Sequence, residues 1–454
     1  MPQVTIIGAG SVMFTRQICS ALLSYPCFAY STIVLMDIEP SALKQSGQVV
    51  AKMIEQAKVP VSLKVTANQG EALQGADFVI NAIQVGGLEP WRLDMDIPAK
   101  YGVIQEVGDT MGPGGIFRAL RHIPPMLAIL KDMESICPDA LFINYANPLA
   151  PLTWAAKEFS TIQSIGLCYG VRYTVAQLAG YLKHGPWVDH PATPELWQRL
   201  MYHEVPENID YEFAGINHMT WITKMEVNGQ DLLADIRRLP TQSEVYQVDG
   251  VRCEMVKFFD YWCTENHWHC SDYVPYFRKN KPTIDRFLPQ RWNILALEEQ
   301  VHQSGQAEID AQLRGEREFI ISPNMLNAPK IINAILSGDR TRINGNLPNQ
   351  QASGLLVENL PHNCVVEVPI WVDQDGLHPQ KMGRLPTQCA SLIKSNTAVQ
   401  ELIVEAALSN DLNAARYALA LDPVTATVCT LDQIDQMFEE MILAQKRWLG
   451  FYHQ

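Results

Sequence analysis

Positive charge is scarce in this chain. Its 454 residues carry 35 Lys and Arg against 49 Asp and Glu, a formal net charge of −14. Nucleic acids and anionic membrane surfaces are held by clustered Lys and Arg, so neither is an expected partner. No apolar run is long enough to span a bilayer. The opening "MPQVTIIGAGSV" lacks the basic stretch, apolar core and cleavage site of a secretion signal, and a cytoplasmic protein is expected. The ten cysteines contain no C-x-x-C pair. Neither a zinc ribbon nor a dithiol redox centre is indicated, and disulfides are not expected without a secretory context. Most of these cysteines read as small buried hydrophobes. Repeats and low-complexity tracts are also missing. What remains, 47% hydrophobic and 19% charged residues, is the composition of a soluble globular protein long enough for two domains.

The first part alternates strand and helix signals. "QVTIIGAG" is an apolar run ending in glycines, and "SVMFTRQICSALLSY" follows with helical spacing at Met13, Ile18, Leu22 and Leu23. "STIVLMDI" reads as a second strand, then a helix starts at Ser41. "DFVINAI", "ALFINYANP" and "SIGLCYG" are three further short apolar runs with helical patterns between them. Continuous apolar strands alternating with helices indicate a parallel sheet covered on both faces. The expected fold class is α/β: a Rossmann-type doubly wound sheet over residues 1–195. A mixed α+β, helix-rich domain is expected over 196–454. There "YEFAGINHMTWITKMEV" reads as one or two strands around a loop, "VRCEMVKFFDYWCTE" as a helix, and Cys389 to Trp448 as largely helical.

Gly8 and Gly10 follow the first strand directly and precede a helix. Glycines there permit a tight turn and a close approach of backbone to a pyrophosphate at the helix N-terminus. Met13 stands where the third glycine of the usual fingerprint would be, and glycine-rich turns also arise from packing alone. Asp37 ends the second strand, where a carboxylate can accept from ribose hydroxyls and would repel a 2′-phosphate. NAD is therefore the expected dinucleotide, with Gly8, Gly10, Ser11 and Asp37 on one side. The segment Ile80–Gly87, with Asn81 and Gln84, would line the other side.

Asn147, Cys168 and His218 each follow a strand signal. Singly they read as a turn residue, a core cysteine and a satisfied structural histidine. Together, at the carboxyl ends of strands, they could form a site for a divalent metal or a polar substrate.

"GDTMGPGGIFRALRHIP" (108–124), "INYANPLA" (143–150), "GLCYG" (166–170) and "GINHM" (215–219) together resemble glycoside hydrolase family 4. "GAGS" near the N-terminus and "VEVP" (366–369) add to the resemblance, which spans nearly the whole chain and is nearest the α-galactosidase branch. It implies a lactate/malate dehydrogenase-like nucleotide domain, a C-terminal domain that binds substrate and metal, and a homodimer or homotetramer. It implies NAD and a divalent metal, usually Mn2+, as cofactors. It also implies an uncommon glycosidase route: oxidation at carbon 3 of the sugar, loss of the carbon-2 proton, elimination of the glycosidic oxygen, addition of water, and return of the hydride. Cys168 and His218 match the metal ligands. Asn147, Asp109 and Arg172 are the substrate candidates. Tyr273 and Asp272 are candidates for the base, a tyrosine there needing its pKa lowered by the metal. Tyr169 follows the metal cysteine where the family more often has His or Asp, and could donate a proton to the leaving group.

An α-galactoside is the first expected substrate, with α-glucosides or acidic sugars such as galacturonides and sulfoquinovosides as alternatives. Arg172 could pair with an acidic substituent. A lactate/malate-type dehydrogenase is the rival from another class, although that class uses no metal cysteine. A catalytically silent sugar or dinucleotide sensor is the third reading.

Overall fold

The computed structural model describes residues 1–187, 201 and 208–453. Six parallel strands open the fold: β1 (Gln3–Ile7), β2 (Thr32–Met36), β3 (Ser62–Thr66), β4 (Phe78–Asn81), β5 (Leu141–Asn144) and β6 (Ser164–Gly166). Their order is 3-2-1-4-5-6, that of a doubly wound nucleotide-binding sheet. β1, β4 and β5 are buried along their full length. That is why they read as unbroken apolar runs rather than alternating ones. β3 escaped the sequence reading because it is an edge strand, "SLKVT", with no buried residue.

Seven helices accompany these strands: α1 (Val12–Ser24), α2 (Pro40–Ala57), α3 (Gln69–Leu73), α4 (Leu88–Lys100), α5 (Gly112–Ile136), α6 (Leu149–Phe159) and α7 (Gly170–Tyr181). α1 packs on α2, whereas α5 packs on α3, α4 and α6. The strand order runs outward in opposite directions from β1 and β4. Right-handed crossovers therefore put these two groups of helices on opposite faces.

The sheet does not stop at β6. It continues through β10 (Thr341–Pro348), β13 (Val365–Asp373), β7 (Ile209–Ile216), β8 (Met219–Val227) and β9 (Gln230–Asp231), with β14 (Gly376–Pro379) beside β13. Two-residue strands β11 (Gln350–Gln351) and β12 (Gly354–Leu355) form a separate hairpin. The expected boundary at 195/196 lies outside the described residues, and strands from both sides of it share one sheet. The joins are narrow: β10 meets β6 only at Asn346↔Gly166, and β13 meets β7 only at Glu367↔Gly215. Both joins lie within three residues of Cys168 and His218.

One hydrophobic core runs from β1 through the C-terminal helices, and a smaller one lies around α7, β7 and β8. The helices Thr387–Ser409, Leu412–Leu421 and Leu431–Gln445 are where the sequence placed them. They dock with a buried polar clasp: the Arg121 Nη1 donates to Asp94 Oδ1 at 3.1 Å and to Gln445 Oε1 at 3.0 Å. No helix among the described residues is long and apolar enough to cross a membrane.

The turn after β1 is built around Gly8, at φ +85°. Its N–H donates to Met36 O at 3.0 Å, and a Cβ there would sit 2.5 Å from the Ala82 carbonyl carbon. Gly8→Ala should cost about 2 kcal/mol or more, from left-handed backbone strain plus overpacking. Denaturant unfolding checks this; wild-type stability would show that the turn is not tight.

Candidate active site

A cavity of about 930 Å³ opens at the carboxyl ends of β1, β4, β5 and β6. Ser11, Ala82–Gln84, Tyr145–Asn147 and Leu167–Tyr169 line it, each group just beyond its strand. The helix Ile294–Leu313 forms another wall. This is where a doubly wound sheet binds ligands, because the strand order reverses between β1 and β4.

One end is shaped for a dinucleotide. Asp37 Oδ2 accepts the Gly10 N–H at 2.7 Å and its Oδ1 accepts from Glu39 N at 2.9 Å, so the carboxylate braces the glycine turn. Ser11 and Gln84 face the cavity as expected. Asn81 does not: it is fully buried, and its Nδ2 donates to Asn144 Oδ1 at 2.8 Å, tying β4 to β5 below the cavity floor. The Gln84–Val85 segment is held from behind. Val85 N–H donates to His122 Nε2 at 3.1 Å, and His122 Nδ1 meets Arg118 O at 2.8 Å. Burial, with Arg118 and Arg121 nearby, keeps His122 well below its usual pKa and therefore neutral. Met13, in the place of the missing third glycine, packs over Gly305, where even a Cβ would be 2.5 Å from its sulfur. The glycine's role in close packing has moved to the facing helix.

At the other end Cys168 Sγ, His218 Nε2 and a Glu265 carboxylate oxygen lie within 4.8 Å of one another. His218 Nε2 is 3.2 Å from Cys168 Sγ and 3.1 Å from Glu265 Oε2. Burial pushes His218 down to about 4, so its ring is neutral, and the tautomer protonated at Nδ1 offers the Nε2 lone pair to a metal. Burial and the Glu265 and Glu367 carboxylates push the Cys168 thiol up. Three electron-rich atoms thus converge with little to neutralise them, an arrangement that fits a divalent cation. Each is placed by the fold. Cys168 follows β6, and His218 occupies the tight β7–β8 turn at φ 62°. The carbonyl of Glu265 accepts from Arg252 Nη1 at 2.7 Å and Thr174 Oγ1 at 2.9 Å.

Behind the cluster stands His269, whose ring stacks on His218 at 4.4 Å. Its Nδ1 is 3.0 Å from Glu265 Oε2, and its Nε2 is 3.7 Å from Asp109 Oδ1. Burial alone would lower its pKa, but these carboxylates outweigh burial and push it up to about 10. The protonated ring holds Glu265 and Asp109 ionised: burial opposes both, yet both are lowered. Asn147 Nδ2 donates to Asp109 Oδ2 at 2.8 Å and its backbone carbonyl accepts from Arg118 Nε at 3.2 Å, which leaves the side-chain oxygen Oδ1 for a ligand.

The remaining candidates separate. Tyr169 lines the cavity at the head of α7, its phenol raised by burial and by Glu265. Tyr273 lies beside the cluster, 6.5 Å from the His218 ring centre to centre. Burial raises its phenol well above the ordinary value, only Thr110 opposing. The protein by itself therefore does not supply the expected lowering. Asp272 is engaged elsewhere. It pairs with Arg278 at 2.9 Å and accepts from the Glu106 and Val107 N–H groups at 3.2 and 3.3 Å, fastening the 104–107 loop. Arg172 sits in the first turn of α7, off the cavity wall.

Sequence reasoning missed Glu265, His269 and Glu367, although Glu265 ends "VRCEMVKFFDYWCTE" and Glu367 lies in "VEVP". The E-x-x-x-H spacing at 265–269 was the available signal. Glu367 faces Asn217 at 3.4 Å, and burial pushes its carboxyl up to about 8.

The model of the family 4 glycosyl hydrolases matches residues 3–183, and that of their C-terminal domain matches 213–425. The chain is 32% identical to an α-galactosidase of Bacillus subtilis strain 168, covering all of both chains. It is 31% identical to an α-galactosidase of Rhizobium meliloti strain 1021, over 99% of this chain and 89% of that one. A 6-phospho-α-glucosidase from gut microorganisms, solved with NAD and Mn2+, superimposes with a TM-score of 0.78 at 19% identity, covering 98% of each chain.

Two outcomes follow from this geometry. Glu265→Gln should weaken Mn2+ binding at least about 100-fold by calorimetry, as should Cys168→Ser; unchanged affinity would remove Glu265 from the ligand set. Asp272→Asn should instead lower stability by about 3 kcal/mol, because it takes from the buried Arg278 the nearer of its two carboxylates, the other being Glu106 at 3.4 Å. Its Mn2+ affinity should stay near wild type, and a collapse of that affinity would return Asp272 to the site.

Proposed function

The chain belongs to the family 4 glycosyl hydrolases, and from this premise we propose that it hydrolyses α-galactosides with NAD and a divalent metal, Mn2+, in one cavity. The observation that carries this reading is the shared cavity. Ser11, at the end of the glycine turn, and the Cys168–His218–Glu265 cluster line the same space. A plain dehydrogenase has no use for such a cluster, and a two-carboxylate glycosidase has no use for the turn. The relatives named α-galactosidases support the choice of sugar.

Cys168, His218 and Glu265 would hold the metal, and the turn, Asp37 and Gln84 would hold NAD. When bound, NAD supplies a reversible hydride acceptor at carbon 3, and the metal supplies Lewis-acid polarisation of the oxygens on carbons 2 and 3. Asn147 and Asp109, locked together, orient the sugar hydroxyls beside the cluster. Tyr273 takes the carbon-2 proton, its phenol requiring the metal's charge to offset burial and the nearby Asp109 and Glu265. Tyr169, kept protonated by burial, gives a proton to the departing glycosidic oxygen. Water then adds at carbon 1 and the earlier steps reverse. His269 keeps Glu265 and Asp109 charged throughout. We further infer a nucleotide domain over 1–195, a substrate and metal domain over 196–454, and a homodimer or homotetramer acting in the cytoplasm.

The test is a nitrophenyl glycoside screen on protein stripped of metal and NAD. Activity on α-galactoside should return only when both are added with a thiol reductant, and no NADH should accumulate with turnover. Full activity without either one, or stoichiometric NADH, would overturn the reading. Tyr273→Phe should lower kcat about 100-fold or more while leaving Mn2+ and NAD affinities unchanged.

A further inference from the structure

Five arginines are buried among the described residues, and four of them face a carboxylate. Arg16 pairs with Glu308, Arg121 with Asp94, Arg252 with Asp249, and Arg278 with Asp272 and Glu106. Arg118 forms no ion pair with any described residue. It lies one turn before Arg121 on α5, is 7% exposed, and lines the cavity. A buried guanidinium without a carboxylate is costly, because it has given up water and gained no counter-charge.

The side chain is nonetheless fixed. Its Nε donates to the Asn147 carbonyl at 3.2 Å, the one side-chain hydrogen bond it makes to a described residue. Its guanidinium lies 5.2 Å over the Trp91 ring, and Trp91 Nε1 in turn donates to the Val107 carbonyl at 2.7 Å. Its own carbonyl meets His122 Nδ1 at 2.8 Å. Nη1 and Nη2 are therefore held in place with no described residue to donate to. Asp109 does not serve them: it accepts from Asn147 Nδ2 at 2.8 Å and faces the protonated His269 at 3.7 Å. Trp91, Val107, Asp109 and Asn147 all line the cavity with Arg118. An oxygen acceptor on a ligand would complete the group.

We propose that Arg118 is a sugar-binding residue whose terminal nitrogens donate to a hydroxyl oxygen of the glycoside at carbon 4 or carbon 6. The proposal rests on the glycosidase reading above. That reading gives the oxygens on carbons 2 and 3 to the metal and the oxygen on carbon 1 to the leaving group, so the hydroxyls on carbons 4 and 6 remain. A guanidinium presents its N–H groups in a rigid planar fork and accepts nothing, so it reads oxygens as acceptors. Asn147, tied to Arg118 through its carbonyl, offers the complementary acceptor Oδ1. Arg118 is a specificity-determining residue here, and no bond is made or broken through it. Because no carboxylate of the free protein pairs with it, its removal should cost affinity for the sugar rather than stability.

Protein loaded with NAD and Mn2+ tests this by calorimetry with galactose, 4-deoxygalactose, 6-deoxygalactose, glucose and galacturonate, beside kinetics on nitrophenyl α-galactoside. Wild type should bind one of the two deoxy sugars about tenfold or more weaker than galactose. Arg118→Met should bind galactose about tenfold or more weaker than wild type does, and should no longer distinguish it from that deoxy sugar. Its NAD and Mn2+ affinities should match wild type and its thermal midpoint should not fall, whereas Arg121→Met, which breaks a buried pair, should lose several degrees. Arg118→Lys keeps the charge and loses the fork; it should lose the same discrimination, and it serves where the methionine variant does not fold. Unchanged galactose affinity in the variants, or a deoxy penalty undiminished in them, would overturn the proposal and leave α-galactoside hydrolysis standing. Wild type that binds both deoxy sugars as it binds galactose would do the same. Wild type that binds no sugar of the panel would overturn both readings. Glucose or galacturonate bound in place of galactose, with an affinity that still depends on Arg118, would sink only the galactoside choice.

Discussion

Everything near the active site follows from forcing a thiol, an imidazole nitrogen and a carboxylate within a few ångströms of one another. Buried together they raise each other's energy, because burial strips away the water that would solvate three electron-rich atoms, and only part of that loss is offset by the His269 ring on Glu265 and the Gly170 N–H on Cys168. Such an arrangement persists only where the surrounding structure over-determines it. Here the surroundings are the end of β6, the tight β7–β8 turn, and a Glu265 carbonyl gripped by Arg252 and Thr174. His269, charged between Glu265 and Asp109, supplies a fixed cation to the cluster and orients both acids. A divalent ion would convert mutual repulsion into coordination, which explains why these three groups tolerate their positions.

The joining of the two halves has the same origin. β10 and β13 extend the parallel sheet through single residue pairs at Gly166 and Gly215. Those narrow joins deliver Cys168 from one half and His218 from the other to one point. Across the cavity the helix Ile294–Leu313 docks on α1, just after the glycine turn, through Met13, Gly305, Arg16 and Glu308. On the proposed reading, cofactor, metal and sugar would therefore share one cavity. A route that removes and later returns hydride at the same sugar needs that proximity, since the cofactor is never exchanged for a fresh one.

Much of this was legible in the residues alone. Unbroken apolar strands, the glycine turn and Asp37 carry the doubly wound sheet, because parallel strands buried on both faces leave little room for other patterns. Cys168, His218, Asn147 and Asp109 were legible because they sit at strand ends or in dense motifs. Edge strand β3 was not, being short and polar. Nor was the continuous sheet, because β10 and β13 begin 175 and 199 residues after β6 ends. Glu265 and His269 were hidden for another reason. They approach the cluster from a loop and a one-turn helix, where no periodicity marks which side faces inward. Asp272 and Asn81 are the reverse case: right type and right neighbourhood, yet turned into structural bonds with Arg278 and Asn144. A single position's direction on a short element is decided by packing that the local sequence does not encode.

The central claim is that bond cleavage proceeds through loss of the carbon-2 proton after oxidation at carbon 3. Hydrolysis of an α-galactoside carrying deuterium at carbon 2, followed by mass spectrometry and NMR of the released sugar, tests it most directly. The account predicts that the product loses deuterium at carbon 2 to solvent hydrogen, at a rate tied to NAD and metal occupancy. Product that keeps all of its carbon-2 deuterium, released by protein free of NAD, would contradict it and point instead to direct displacement by the cavity's carboxylates.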